Sequence, residues 1–332
     1  MCRYWIRHNI ELQQMSHDKK ISLIGAGNIG TILAFSISRK RLGNITLVDR
    51  VKGLAEGKCL DLSQSLSAEN LNTKILGTDD ISKIKNSHAI IITAGIPRKP
   101  GMSRDDLVET NFSIMKELGN AIKKYSPNAF VICVTNPLDA MVWSLKEITG
   151  IDKKMIVGMA GILDSARFKF FLSNELSIST DSIQTMVLGG HGDTMVPLLR
   201  FTSISGIPLS EFIKKKRISK EKVDEIISRT RNGGGEIVAL MKNSSAFFSP
   251  ATSAIEMLES YLFDNRKILP CSAYLEGEYN VKGMCVGVPV VISKDGVEEI
   301  IELDLQNSER NEFDNSVKAV KELVEKCRKL LA

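Results

Sequence analysis

The chain has 332 residues, 44 Lys and Arg against 39 Asp and Glu, a formal charge of +5 and a hydrophobic content of 43%. That length exceeds one ordinary core and predicts two packed units, and the composition excludes a disordered, collagen-like or disulfide-stapled chain. No apolar run is long enough to span a bilayer, so no membrane partner is expected.

Residues 1–18 precede any periodic pattern and contain His8, Met15 and His17. They lack the apolar core of a signal peptide, and Glu11 disfavours a basic transit peptide. They are read as a poorly ordered extension, with Met15 as an alternative start. From Lys20 to about residue 160, strand-like and helix-like segments alternate. Apolar runs at 21–24, 45–48, 89–93 and 130–134 have the near-continuous character of strands buried on both faces of a parallel sheet. Helical stretches near 29–40, 53–67, 104–124 and 138–149 fall between them. This alternation predicts a doubly wound α/β sheet with ligands at the carboxyl ends of its strands. After about residue 160 the pattern is mixed: helices at 163–176, 219–231, 250–263 and 308–331, with strands at 185–188, 284–292 and 297–303. The division expected is 19–160 for the first domain and 161–332 for a second, α+β domain. The basic run Lys214-Lys215-Lys216-Arg217 has no interleaved aromatics and reads as a solvated helix end, so no nucleic-acid partner is expected. Six cysteines at 2, 59, 133, 271, 285 and 327 form no C-x-x-C pair, the usage of a reducing compartment.

Gly25-Ala26-Gly27-Asn28-Ile29-Gly30 follows the first strand and opens the first helix. The G-x-G-x-x-G spacing is weak alone and gains weight from that context. Gly25 permits a tight turn, Gly27 lets a diphosphate approach the backbone, and Gly30 lets helix and strand pack closely. Asn28 and Ile29 lie at the helix N-terminus, where anionic charge is favoured. Asp49 ends the second strand, where a carboxylate accepts ribose hydroxyls and repels a 2′-phosphate, which favours NAD over NADP. The adjacent Arg50 tempers this, and a plain strand-end turn is the alternative. Thr93-Ala94-Gly95 closes the fourth strand with small residues suited to close cofactor approach.

His191 sits in Gly189-Gly190-His191-Gly192-Asp193 at the end of an apolar strand, an accessible position that suits general acid–base work better than core packing. Asp164 and Arg167, three apart on a predicted helix, share a face. Alone they read as a surface ion pair; beside His191 a carboxylate would fix the imidazole tautomer and the arginine would grip a substrate carboxylate. Thr135-Asn136-Pro137 follows the fifth apolar run, where Asn136 is either ligand-facing or a turn residue. The segment Ile96–Arg104 holds Pro97, Pro100 and Gly101 and brings Arg98 and Arg104 toward the same end of the sheet. Simple loop solvation is the alternative reading of Arg98.

The motifs GAGNIG, LVD, TAGIPRKPGMSRDDL, VTNPLD, DSARF and GGHGD, in this order, resemble those of malate dehydrogenases of the lactate-dehydrogenase-like kind, from about Lys20 to the C-terminus. The resemblance implies a Rossmann NAD-binding domain and His191 as proton acceptor and donor with Asp164 as partner. It implies that Arg167 binds the C1 carboxylate and that Arg104 polarises the reacting carbonyl. Asn136 would contact substrate and cofactor, with Gly25, Gly27, Asn28, Ile29, Gly30, Asp49, Thr93, Gly95, Asn111 and Thr135 around the NAD, and no metal. Arg98 would pair with the second carboxylate of malate or oxaloacetate, where lactate dehydrogenases carry glutamine. A homodimer or homotetramer is implied, and a cytoplasmic location is expected. Lys242–Ala246 departs from the family's usual Gly-Ser-Ala run. The rival readings are another 2-hydroxy-acid dehydrogenase, an NAD-requiring glycosidase, disfavoured because no Cys/His metal cluster lies beside His191, and a non-catalytic NAD-binding protein.

Overall fold

The computed structural model describes residues 19–97, 104–242 and 244–332. The extension 1–18, and Arg98 with the centre of its loop, lie outside the described residues. Six parallel strands form half of the framework: β1 (Lys20–Ile24), β2 (Asn44–Val48), β3 (Ile75–Thr78), β4 (Ala89–Ile92), β5 (Phe130–Cys133) and β6 (Ile156–Gly158). Their spatial order is β3-β2-β1-β4-β5-β6. Between them run α1 (Asn28–Arg39), α2 (Leu54–Ala68), α3 (Arg104–Tyr125) and α4 (Leu138–Thr149), and α5 (Gly161–Leu176) follows β6. The chain leaves β1 in one direction and β4 in the other, so a crevice opens at their carboxyl ends, where doubly wound sheets bind ligands. The residues of β4 and β5 are all buried, as continuous apolar runs require.

The second half begins with small strands: β7 (Ile183–Gln184), β8 (Val187–Leu188), β9 (Val196–Pro197), β10 (Ser203–Ile204) and β11 (Ile207–Pro208). Helices α6 (Leu209–Lys214), α7 (Lys220–Arg231), α8 (Gly233–Met241) and α9 (Phe248–Leu262) follow, then β12 (Lys267–Glu276), β13 (Lys282–Ser293), β14 (Gly296–Ile300) and α10 (Asn307–Leu331). β12 pairs antiparallel with β6 through Ser272 and Gly158, so β12, β13 and β14 extend the parallel strands into one nine-stranded sheet. α10 buries Phe313, Val320, Leu323, Val324 and Cys327, the three-and-four spacing of a helix with one apolar stripe. Its first turn is closed by a reciprocal capping box between Gln306 and Glu309.

The sequence reading had no strand at β12, the longest of those it missed. Pro270 lies inside it, as Pro289 lies inside β13. Here Pro270 pairs with Pro289 of β13. Both lie outside the stretches paired with β6 and β14, so no ladder on those sides needs their missing N–H groups. The described helices include none long and apolar enough to cross a membrane.

Candidate active site

The glycine turn after β1 has the three-part construction its spacing predicts. Gly25 takes a φ of +111°, and a Cβ there would lie 2.7 Å from both the Ala94 nitrogen and the Thr93 hydroxyl. A Cβ on Gly30 would come within 1.9 Å of the Gly25 carbonyl oxygen, so α1 packs on the turn at a distance only glycine allows. Around Gly27 a Cβ would meet nothing within 4 Å, which leaves the space over the N-terminus of α1 open. A diphosphate fits that cradle, facing free N–H groups at the positive end of a helix.

Two charged side chains brace the turn from opposite sides. Asp49 accepts from the Ala26 N–H at 2.7 Å and the Val51 N–H at 2.9 Å. Lys58, from α2, donates to the Ala26 carbonyl at 2.6 Å and to the Thr31 hydroxyl at 2.9 Å. Lys58 was not anticipated from the sequence, because its partners are a carbonyl and a hydroxyl far away in the chain. Asn28 is exposed and donates to the Ser244 hydroxyl at 3.4 Å, which links the glycine turn to the segment before α9.

Four other residues expected at the cofactor form the packed floor joining β4 and β5. Thr93 donates to the Gly25 carbonyl, and Thr135 to the Ala94 carbonyl. A Cβ on Gly95 would press to 2.4 Å from the Thr135 methyl group. Asn111 is fully buried: its amide oxygen accepts from the Ile96 N–H, and its nitrogen donates to the Ile96 and Asn136 carbonyls. The Asn111 side chain thus ties the start of the 96–104 segment to the end of β5. The Thr135 hydroxyl is likewise engaged, with the Ala94 carbonyl.

Asn136, Ile29, His191 and Arg167 converge on one cavity of about 350 Å³. His191 places Nδ1 2.8 Å from Asp164 Oδ2, and Arg167 Nη1 lies 3.2 Å from Asp164 Oδ1. One carboxylate, with its side chain 1% exposed, thus serves both cationic groups through its two oxygens. A carboxylate only accepts, so Nδ1 carries the hydrogen and Nε2 is left to exchange a proton with a ligand. Burial alone would push the imidazole pKa down. The charge and hydrogen bond of Asp164, with a further contribution from Asp139, outweigh that effect and the opposing Arg167, and hold it above its ordinary value. The Nε of Arg167 is buried with no hydrogen-bond partner among the described residues, an unspent donor beside the cavity. Gly233 packs against the same side chain, where a Cβ would lie 3.1 Å from Arg167 Cδ.

The turn that carries His191 is pinned at three consecutive N–H groups. Gly189 donates to the Gly287 carbonyl of β13, Gly190 to the Ser316 hydroxyl of α10, and His191 to the Asp139 carboxylate of α4. Arg231 also lines the cavity, unforeseen in the sequence, but it is engaged with the Met195 carbonyl and Glu312. Arg104 begins α3. A larger cavity, of about 870 Å³, lies elsewhere beside α7 and α10; its arginines Arg200 and Arg231 are already paired with Glu309 and Glu312. The described residues contain no group of three His, Cys, Asp or Glu able to hold a metal ion.

Two family models match the chain. Residues 19–158 match the lactate/malate dehydrogenase NAD-binding domain, and residues 162–331 the α/β C-terminal domain of the same family. Among solved structures, the malate dehydrogenase of Cryptosporidium parvum is 44% identical, with a TM-score of 0.92 over 94% of this chain and 99% of that one. The malate dehydrogenase of Plasmodium falciparum is 40% identical, with a TM-score of 0.91 over 95% and 100%. A lactate dehydrogenase of Eimeria maxima, solved with NADH and oxamate, is 44% identical, with a TM-score of 0.90 over 93% of each chain.

Proposed function

The chain belongs to the lactate/malate dehydrogenase family of NAD-dependent dehydrogenases, and from that premise we propose that it interconverts (S)-malate and oxaloacetate. The observation that carries the chemistry is the Asp164 carboxylate shared by His191 and Arg167 at the mouth of the cavity. The observation that carries the substrate is Arg98 in Ile96-Pro97-Arg98-Lys99-Pro100.

The bound cofactor would supply the hydride chemistry at C2, NAD+ as acceptor in oxidation and NADH as donor in reduction. His191 Nε2 accepts the hydroxyl proton during oxidation and returns it during reduction, while Asp164 holds the tautomer and stabilises the imidazolium. Arg167 grips the C1 carboxylate with the guanidinium N–H groups that Asp164 does not take. Arg104 supplies positive charge to the developing alkoxide, and Asn136 orients substrate beside the cofactor. Gly25, Gly27, Asn28, Ile29 and Gly30 seat the diphosphate, and Asp49 takes the adenosine ribose hydroxyls and rejects a 2′-phosphate. Arg98 pairs with the second carboxylate. With pyruvate it would face a methyl group, leaving a desolvated cation unpaired at a cost of roughly 3–5 kcal/mol, or about two to four powers of ten.

The test is NADH oxidation with oxaloacetate and then pyruvate, in the parent and in Arg98→Gln. The parent is expected to prefer oxaloacetate, and the variant to lose that activity and gain on pyruvate. A variant that keeps its oxaloacetate preference removes Arg98 as the discriminator. Assembly as a dimer or tetramer belongs to the same reading; light scattering after gel filtration measures it.

A further inference from the structure

One buried acid near the cavity has no part in the mechanism above. Asp139 lies in the first turn of α4, 4% exposed. Its Oδ2 accepts from the backbone N–H of His191 at 2.9 Å, and its Oδ1 accepts from the Ser272 hydroxyl of β12 at 2.6 Å. No Lys or Arg forms an ion pair with it among the described residues. A carboxylate so far from water is costly unless something compensates it. The available compensation is two hydrogen bonds and the imidazole that rises from the turn it holds.

We propose that Asp139 is a second carboxylate serving His191, a positioning residue that fixes the backbone of the histidine turn from below and whose negative charge favours the imidazolium. This rests on the reading of His191 as the proton carrier. The division between the two acids is geometric. Asp164 engages the ring at Nδ1 and shares itself with Arg167, so part of its field is cancelled by a permanent cation. Asp139 engages the main chain and has no such competitor. Among the described residues, the charged groups that meet His191 or its cavity are Asp164 and Arg167 from α5, Asp139 from α4, and Arg231, which reaches the cavity from α7 already paired with Glu312; Asp193 follows two residues along the same turn. Burial raises the Asp139 carboxyl above its usual range, while Ser272 and the His191 N–H oppose that rise. Ser272 thus becomes part of the device, because its hydroxyl bond favours the charged form of Asp139 against burial.

Asp139→Asn separates charge from shape. The amide oxygen can still accept from the His191 N–H, and the amide nitrogen can donate to the Ser272 oxygen. The chain has only four histidines, so the His191 imidazole can be followed by proton NMR titration, assigned by its absence in His191→Asn. Asp139→Asn is expected to lower the His191 midpoint by about one unit, and to move the pH limb of oxaloacetate reduction down equally. Ser272→Ala is expected to move it the same way by less, and it decides the matter if the first variant does not fold. An unmoved midpoint in a folded Asp139→Asn, or in Ser272→Ala where the first variant fails to fold, would overturn the proposal. The two readings fail separately. Activity retained in His191→Asn would refute the proton-carrier role, whereas the ring titration reports on Asp139 whether or not turnover occurs.

Discussion

Replacing Asp164 by Asn keeps the shape of the site and removes one charge. The amide oxygen can still accept the Nδ1 hydrogen, but the amide nitrogen then meets Arg167 donor to donor, so that bond is lost while the packing, and with it the fold, should survive. What is lost is the attraction between carboxylate and imidazolium. The ring nitrogen and the carboxylate oxygen are 2.8 Å apart, and the acid is 1% exposed. With charge centres about 4 Å apart and an effective dielectric constant of about 20, that attraction is about 4 kcal/mol, roughly a thousandfold in rate. The sign follows from the raised pKa of His191. Reduction needs the imidazolium, so its rate is at a plateau below the folded pKa and falls as pH rises through it. Oxidation needs the neutral ring and shows the opposite dependence. Removing Asp164 moves the midpoint down, so near neutral pH reduction should lose more than oxidation. Stopped-flow NADH absorbance in both directions across a pH series measures both effects. Losses below tenfold in both directions, with an unmoved midpoint, would show that Asp164 does not support His191 as described.

Gly30→Ala puts a methyl group 1.9 Å from the Gly25 carbonyl oxygen, so α1 must move off the turn. Overpacking of this kind costs about 1–3 kcal/mol, and NADH affinity, read by fluorescence titration, should fall along with the melting temperature; unchanged binding would contradict the close packing. Lys58→Met removes two charge-assisted bonds from the glycine turn. Bonds to a charged group contribute about 1.5–3 kcal/mol when buried, and Lys58 is half-buried, so the Kd for NADH should rise on the order of tenfold with kcat nearly unchanged. An unaltered Kd would reduce Lys58 to a surface contact.

The elements legible in the sequence are those whose burial is uniform. β4 and β5 are apolar throughout and wholly buried, and α4 spans the residues its periodicity predicts. β3 and β6 are short, with four and three residues, and leave too little pattern to read. α8 opens with Gly233, Gly234 and Gly235, a run with poor helix propensity, and at least Gly233 is placed by its contact with Arg167. At the site, His191 announces itself by type and setting, whereas Asp164 and Arg167, which alone read as a surface ion pair, gain meaning only beside it. Lys58 and Asp139 each bond one backbone atom and one hydroxyl of a distant segment, and Asn111, expected at the NAD only through the resemblance, bonds backbone atoms alone. Asp139 even stood inside a quoted motif, but its partners Ser272 and His191 are brought to it only by the fold.

Similarity over the whole chain carries no weight on the substrate, since a malate dehydrogenase and a lactate dehydrogenase are each 44% identical to it. The physical reason lies in how the site is divided. In the proposed reading, the glycine turn, the shared Asp164 carboxylate and the pinned histidine turn act on what all 2-hydroxy acids have in common: a carboxylate, a carbinol carbon and a hydride for NAD. They draw on β1, β4, β5, α4, α5, β12, β13 and α10, so changing them disturbs the core. The substrates differ only in the group on the far carbon, a carboxylate against a methyl. In the proposed reading that difference is recognised by one cation, Arg98, two residues beyond the Ile96 that Asn111 anchors. A discriminator made of one residue apart from that shared machinery can be exchanged without rebuilding it, and the Arg98→Gln assay is where this chain should reveal its choice.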